Sequence, residues 1–175
     1  MRILALIGEP ATGKSSIARN LIRELSLGEP LSYGLLRGTQ HHKQKIIVFG
    51  LYPENEIFGG TDRLSMAVQP DAEKFLRYIH DWNIFFEGDR LGNIKFLSFC
   101  KMVCETKIIS LKCSSQTKLH RHLKRNDTQS DRFLKSRQTK IRNITEYFVD
   151  VEVETNETAA DLERLTRKIK DYLLT

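Results

Sequence analysis

Apolar residues fill positions 3–7, Ile3-Leu4-Ala5-Leu6-Ile7, and then recur at Ile17, Ala18, Leu21, Ile22 and Leu25. The unbroken run has the length of a buried parallel strand, whereas the i, i+3, i+4 spacing marks one face of a helix. Gly28-Glu29-Pro30 ends that helix. Apolar runs at 31–36 and 45–52, separated by a polar stretch at 38–44, predict two strands of a long-looped antiparallel hairpin. A helix opens at Gln69-Pro70-Asp71 and reaches about residue 80, with Phe75, Leu76 and Ile79 inward. Further strands are predicted at 83–89, 107–111 and 147–153. Helices are predicted at 93–104, from Ser114 with Leu119 and Leu123 inward, and from an Asn156 cap with Ala159, Leu162, Leu165, Ile169 and Leu173 on one stripe. Strand and helix alternate, which predicts an α/β sandwich. Its mainly parallel sheet of about five strands carries helices on both faces, with the hairpin as an insertion.

The junction between the first strand and the first helix carries the most specific pattern in the chain. Gly8-Glu9-Pro10-Ala11-Thr12-Gly13-Lys14-Ser15, followed by Ser16, is a full G-x-x-x-x-G-K-S phosphate-binding loop in the strand–loop–helix context that the motif requires. Its glycines let backbone N–H groups converge on a phosphate at the positive end of the helix. Lys14 is placed to reach the β- and γ-phosphates, and the Ser15 hydroxyl to ligate Mg²⁺. The strand at 83–89 ends in Glu87 and Asp89, which share a side if the chain stays extended. A metal-facing carboxylate belongs at that strand end, so one acid serves Mg²⁺ and the other is available to take a proton from the acceptor. Asp62 and Arg63 follow the glycine turn Gly59-Gly60, where a charged pair is costly to bury without purpose. Asp62 is read as general base or orienting group at the acceptor, and Arg63 as a contact to acceptor or phosphate.

A chain of 175 residues suffices for one domain, 1–175, whose core needs no disulfide or metal. Cys100, Cys104 and Cys113 lack C-x-x-C spacing and are expected to be reduced thiols of a cytoplasmic protein. No stretch reads as a signal peptide or membrane span, and no obligate protein partner is evident. Net charge is +6, yet residues 118–142 alone carry +7, from nine Lys or Arg against Asp127 and Asp131, and the remainder is near −1. Basicity this local predicts a site that meets phosphates. Arg121 and Arg125 lie one helical turn apart, and Arg132 and Arg137 follow a polar connection at 126–130. That layout predicts a helical lid over 118–142 in which Arg125, Arg132 and Arg137 close over a triphosphate, since guanidinium forks suit phosphate oxygens.

Asp89-Arg90-Leu91-Gly92 has the D-x-x-G spacing of a GTP switch, but the chain has no N-K-x-D guanine motif. A motor or clamp ATPase needs more chain. A small P-loop kinase using ATP and Mg²⁺ fits best. Three blocks carry a more specific resemblance: Gly60-Thr61-Asp62-Arg63-Leu64-Ser65-Met66-Ala67-Val68-Gln69-Pro70, Phe86-Glu87-Gly88-Asp89-Arg90, and Phe133-Leu134-Lys135-Ser136-Arg137-x-Thr139-Lys140. The chain resembles, over nearly its whole length, a bacteriophage family of small P-loop kinases that phosphorylate 5-hydroxymethyluracil within DNA. The resemblance implies ATP, Mg²⁺, a DNA-borne hydroxymethyl acceptor, a step toward hypermodified thymine that protects phage DNA from host nucleases, and a place in the host cytoplasm. If DNA is the acceptor, cations outside the lid's phosphate contacts, Lys135, Lys140 and Arg142, are expected to hold its backbone. On the acceptor side, 31–52 and beyond, Tyr33, Tyr52 and Phe58 are candidates to stack on the base, Tyr33 as a substrate contact, with at least one of the three expected in the core. A kinase of a free nucleoside, nucleotide or other small metabolite needs the same loop, acids and lid. A non-catalytic, ATP-dependent DNA-binding module is the third reading.

Overall fold

The computed structural model describes residues 1–54, 56, 59–124 and 129–175. In chain order the elements are β1 (Arg2–Gly8), α1 (Lys14–Glu24), β2 (Glu29–Tyr33), β3 (Leu36–His41), β4 (Ile46–Phe49), α2 (Gln69–Tyr78), β5 (Asn83–Glu87), α3 (Ile94–Val103), β6 (Glu105–Lys112), α4 (Ser115–Lys124), α5 (Asp131–Tyr147), β7 (Glu152–Thr155) and α6 (Ala159–Leu174). Among the described residues seven strands form one sheet in the order β2-β3-β4-β5-β1-β6-β7. The run β4-β5-β1-β6-β7 is parallel throughout, and β2 and β3 add antiparallel strands at one edge. This is the expected α/β sandwich, five parallel strands with an antiparallel pair added at one edge.

β1 is central, so both its faces are covered, which is why its sequence is apolar without alternation. Ile3, Ala5 and Ile7 join a core completed by Leu76 of α2, Phe96 and Cys100 of α3, and Ile144 of α5. Leu4 and Leu6 join the opposite core, completed by Ile17 and Leu21 of α1 and Leu165, Ile169 and Leu173 of α6. Helices thus cover both faces.

The irregular edge differs from expectation. Residues 38–41, expected in a loop, belong to β3, whose outward positions are the polar Arg37, Thr39 and Gln40. Gly38 makes this pairing possible, since a Cβ there would stand 2.3 Å from the Val48 carbonyl oxygen. The expected second hairpin strand is instead β4, a member of the parallel sheet beside β5. β4 also pairs antiparallel with β3, so β2, β3 and β4 form an antiparallel meander in which the two strands expected to pair, β2 and β4, lie on either side of β3.

Two more boundaries move toward the C-terminus. Tyr147 is the last residue of α5, and the final strand begins at Glu152. Asn156 does not cap α6, because Thr158 does, in a reciprocal capping box with Asp161. Leu119 and Leu123, expected inward, are exposed, and α4 has no buried residue. Its contacts to the rest of the molecule run through polar side chains.

Candidate active site

The phosphate loop leaves β1 at Gly8 and enters α1 after Gly13, which sits in the left-handed region at φ 96°. α1 has no side-chain N-cap and no acid in its first turn, so its leading N–H groups stay open to an anion. Ala11 also has positive φ, 61°, a strained value for a side-chain-bearing residue and a mark of functional backbone. Lys14 folds back over the loop, its Nζ donating to the carbonyls of Gly8 at 2.7 Å and Glu9 at 3.0 Å. The ammonium therefore stands against the loop backbone, in the cleft that the loop lines.

Opposite the loop lies the end of β5. Ser15 Oγ donates to Glu87 Oε1 at 2.9 Å. Glu87 is buried, and burial pushes its carboxyl up to about 7, with the nearby Lys14 ammonium pulling the other way and the Asp62 charge adding to the rise. Tyr52 stands beside it, and burial, reinforced by the Glu87 charge, holds its phenol well above the usual range. A hydroxyl and a buried carboxylate in contact form the hard-oxygen pair that fits Mg²⁺, which takes one or two protein oxygens and fills its shell with phosphate and water. Among the described residues no larger group of His, Cys, Asp and Glu gathers as a metal site. Ser15 and Glu87 are thus the residues that would hold the ion.

Asp89 departs from expectation. Gly88 adopts φ 110° and turns the chain after Glu87, so the strand is not extended there, yet both acids line one cleft and differ in their partners. The Asp89 carboxylate meets Arg137 Nη1 at 2.5 Å and Lys140 Nζ at 3.5 Å, while Ser15 goes to Glu87. Glu87, and not Asp89, is therefore the acid in contact with Ser15. Asp62 is brought alongside, its Oδ1 accepting from the Asp89 main-chain N at 2.5 Å. Burial raises the Asp62 carboxyl above its ordinary value, and the Asp89 N–H works against that rise. Gly60 makes the approach possible, because a Cβ there would stand 2.3 Å from Glu87 Oε1. The bridge between Leu51 and Gly60 closes the base of the preceding loop, and Arg19 of α1 holds that loop by the carbonyls of Pro53 and Glu56.

These groups surround one open cleft of about 560 Å³, lined by Lys14, Ser15, Asp62, Glu87, Asp89 and Arg137 together with Phe133 and the loop. Arg137 also lies over the Phe133 ring, 4.7 Å from its centroid. Of the other expected lid arginines, Arg132 is exposed on α5 and does not line the cleft, and Arg125 lies outside the described residues, as does Phe58. Arg63 pairs with the Glu56 carboxylate and is not among the lining residues. Tyr33 is half-buried against Phe75, ring centroids 5.5 Å apart, and serves the core, away from the cleft. Lys135 and Arg142 are exposed on α5, but Lys140 turns inward to Asp89. The lid is also less free than expected, since α5 is rooted in the core by Ile144 and the packed Ile141.

Arg121, counted in the basic lid, and Asn156, read as a helix cap, serve the phosphate loop instead. Arg121 Nη1 donates to the Ala11 carbonyl at 3.1 Å and its Nη2 to the Asn156 carbonyl at 3.0 Å. Asn156, buried, donates from Nδ2 to the Thr12 carbonyl at 2.8 Å, and Lys118 pairs with Glu9 at 2.8 Å. α4 and the start of α6 thereby brace the phosphate loop from behind. A second cleft of about 670 Å³ lies there, lined by Gly13, Ser16, Arg121, Asn156, Thr158 and Leu162.

No protein-family model matches this chain, and no curated protein sequence does. Among solved structures, a gluconokinase from Sinorhizobium meliloti 1021 aligns with 97% of this chain and 95% of its own, at 11% identity and a TM-score of 0.47. No helix of the described residues is long and apolar enough to cross a membrane.

Proposed function

We propose that this protein is an ATP-dependent phosphotransferase whose acceptor is an alcohol. The observation that supports this best is the convergence in one cleft of Lys14, the Ser15–Glu87 pair, Asp62 and Arg137. The triphosphate takes the loop amides and Lys14, and its base rests in the second cleft beside Arg121 and Leu162. Bound at Ser15 and Glu87, Mg²⁺ would neutralise charge between the β- and γ-phosphates. The acceptor hydroxyl gives its proton to the Asp62 carboxylate as its oxygen bonds to the γ-phosphorus. The bond from that phosphorus to the bridging oxygen breaks, ADP leaves, and a phosphate monoester remains. Arg137 meets the charge that grows on the transferring group.

For the acceptor we propose the hydroxymethyl group of 5-hydroxymethyluracil in DNA. The resemblance of the three sequence blocks supports it, as does the outer side of α5. There Arg132, Lys135 and Arg142 are exposed, with Glu146, 3.9 Å from Arg142, as the acid paired to any of them among the described residues. A C5 substituent projects into the major groove, and extrusion of the base gives a second route to the cleft. One observation favours a free small alcohol instead: Lys140 is spent on Asp89 and adds nothing to a DNA-binding surface. The two readings separate when labelled ATP is offered with 5-hydroxymethyluracil DNA, unmodified DNA and free nucleosides. Label in the modified DNA alone supports the DNA reading, and label in free nucleosides alone replaces it.

A further inference from the structure

Two cations share the carboxylate of Asp89, and their positions are not equivalent. Arg137 Nη1 meets Oδ2 at 2.5 Å, whereas Lys140 Nζ donates to the main-chain carbonyl of Asp89 at 2.8 Å and lies 3.5 Å from Oδ1. Arg137 lines the phosphate-loop cleft. Lys140 does not, and borders instead a groove between the start of α3 and α5, beside Asn93, Lys95 and Thr139. Arg137 also keeps a buried Nε with no hydrogen-bond partner among the described residues, so its fork has a donor to spare. A triphosphate competes for a guanidinium that is held by one carboxylate and incompletely satisfied. It competes poorly for Lys140, which does not line the cleft and whose shortest contact is the Asp89 main-chain carbonyl.

The helix supports the same division. Arg137, Lys140, Ile141 and Ile144 fall on one face at i, i+3, i+4 and i+7. Ile144 is buried in the core and Ile141 packs against it, so Lys140 sits at the rooted part of α5 and Arg137 nearer its lid end. The Asp89 peptide is gripped from both sides, its N–H by Asp62 Oδ1 at 2.5 Å and its carbonyl by Lys140. Whatever holds Asp89 therefore also holds the partner of Asp62.

We infer that Lys140 is a positioning residue for the reaction: it keeps Asp89, and through it Asp62, in place when Arg137 leaves Asp89 for the transferring phosphate. The inference rests on the phosphotransferase reading. It assigns the two neighbouring cations opposite duties, one exchanged and one retained.

The test combines nucleotide affinity, turnover and one complex. Lys140→Met is expected to keep its affinity for Mg²⁺ with β,γ-imido-ATP within about twofold while turnover falls about tenfold or more, and Lys140→Arg to restore most of that turnover. Arg137→Met is expected to weaken nucleotide affinity and lower turnover together. A crystal structure of the wild-type protein with Mg²⁺ and β,γ-imido-ATP is expected to show Arg137 on a phosphate oxygen and Lys140 still on Asp89. Lys140 found on the phosphate, Arg137 still on Asp89, or full turnover in Lys140→Met overturns the inference. Nucleotide bound without transfer to any acceptor refutes the kinase reading and with it the reaction role of Lys140, whereas transfer by the wild type with full turnover in Lys140→Met overturns the Lys140 inference alone.

Discussion

Glu87 carries a charge that the ligand-free fold does not favour. Its carboxyl is raised by burial from the ordinary 4.5 to about 7, so the folded protein holds this proton more tightly than the unfolded chain. The resulting stabilisation is complete below about pH 4.5 and is lost as pH rises through about 7, a span worth on the order of 3 kcal/mol. Glu87→Gln should therefore melt higher than wild type at pH 8.5 and close to it at pH 4.5, while losing Mg²⁺-dependent transfer. Thermal unfolding at the two pH values checks the sign, and a variant less stable than wild type at pH 8.5 contradicts it. Lys14→Ala should lose transfer by about a hundredfold or more and stay folded, because Lys14 Nζ binds loop carbonyls and no core group. Turnover with circular dichroism on the same sample measures both halves. Lys14, Ser15 and Glu87 were legible because their chemistry imposes a fixed spacing or a strand end. Arg121 and Asn156 were not, since they act on main-chain carbonyls of the loop, and a contact to backbone leaves no trace in residue type.

At the scale of elements, an unbroken apolar run located β1, which faces both cores, and periodicity located α1 and α6, whose apolar positions face one. It failed where burial is one-sided or absent. β3 hid behind polar outward residues, and α4 displays an apolar i, i+4 pair that no core receives. Leu119→Gln and Leu123→Gln should accordingly change unfolding free energy by no more than about 0.5 kcal/mol. Ile144→Ala, which uproots α5, should cost about 2–4 kcal/mol. Urea denaturation of the three variants compares the faces directly, and a large loss at Leu119 or Leu123 would restore the inward reading of α4. The turn at Gly88 was equally invisible, and with it the division of partners that gives Ser15 to Glu87 and Arg137 to Asp89. A glycine says that an unusual backbone angle is possible there, but its direction is set by Asp62 and Lys140, which arrive from distant elements.

For the whole molecule, charge is partitioned between a cleft and a surface. Arg137 and Lys140 are consumed inside, and Arg132, Lys135 and Arg142 remain outside on α5. If DNA is the partner, neutralising any one of the outer three should weaken binding across sequences and lower the slope of log affinity against log salt by about one. Fluorescence anisotropy over a salt series reads that slope, and an unchanged slope removes those cations from the interface. The composition pointed to this segment, but only the fold shows which cations face which way. The central claim, transfer of phosphate from ATP to an alcohol, is tested most directly by mass spectrometry of nucleosides digested from 5-hydroxymethyluracil DNA after incubation with ATP and Mg²⁺, with free nucleosides treated in parallel. The account predicts a phosphorylated hydroxymethyl nucleoside from the DNA with wild-type protein and none with Lys14→Ala. Bound ATP with no phosphorylated product from any acceptor would contradict it.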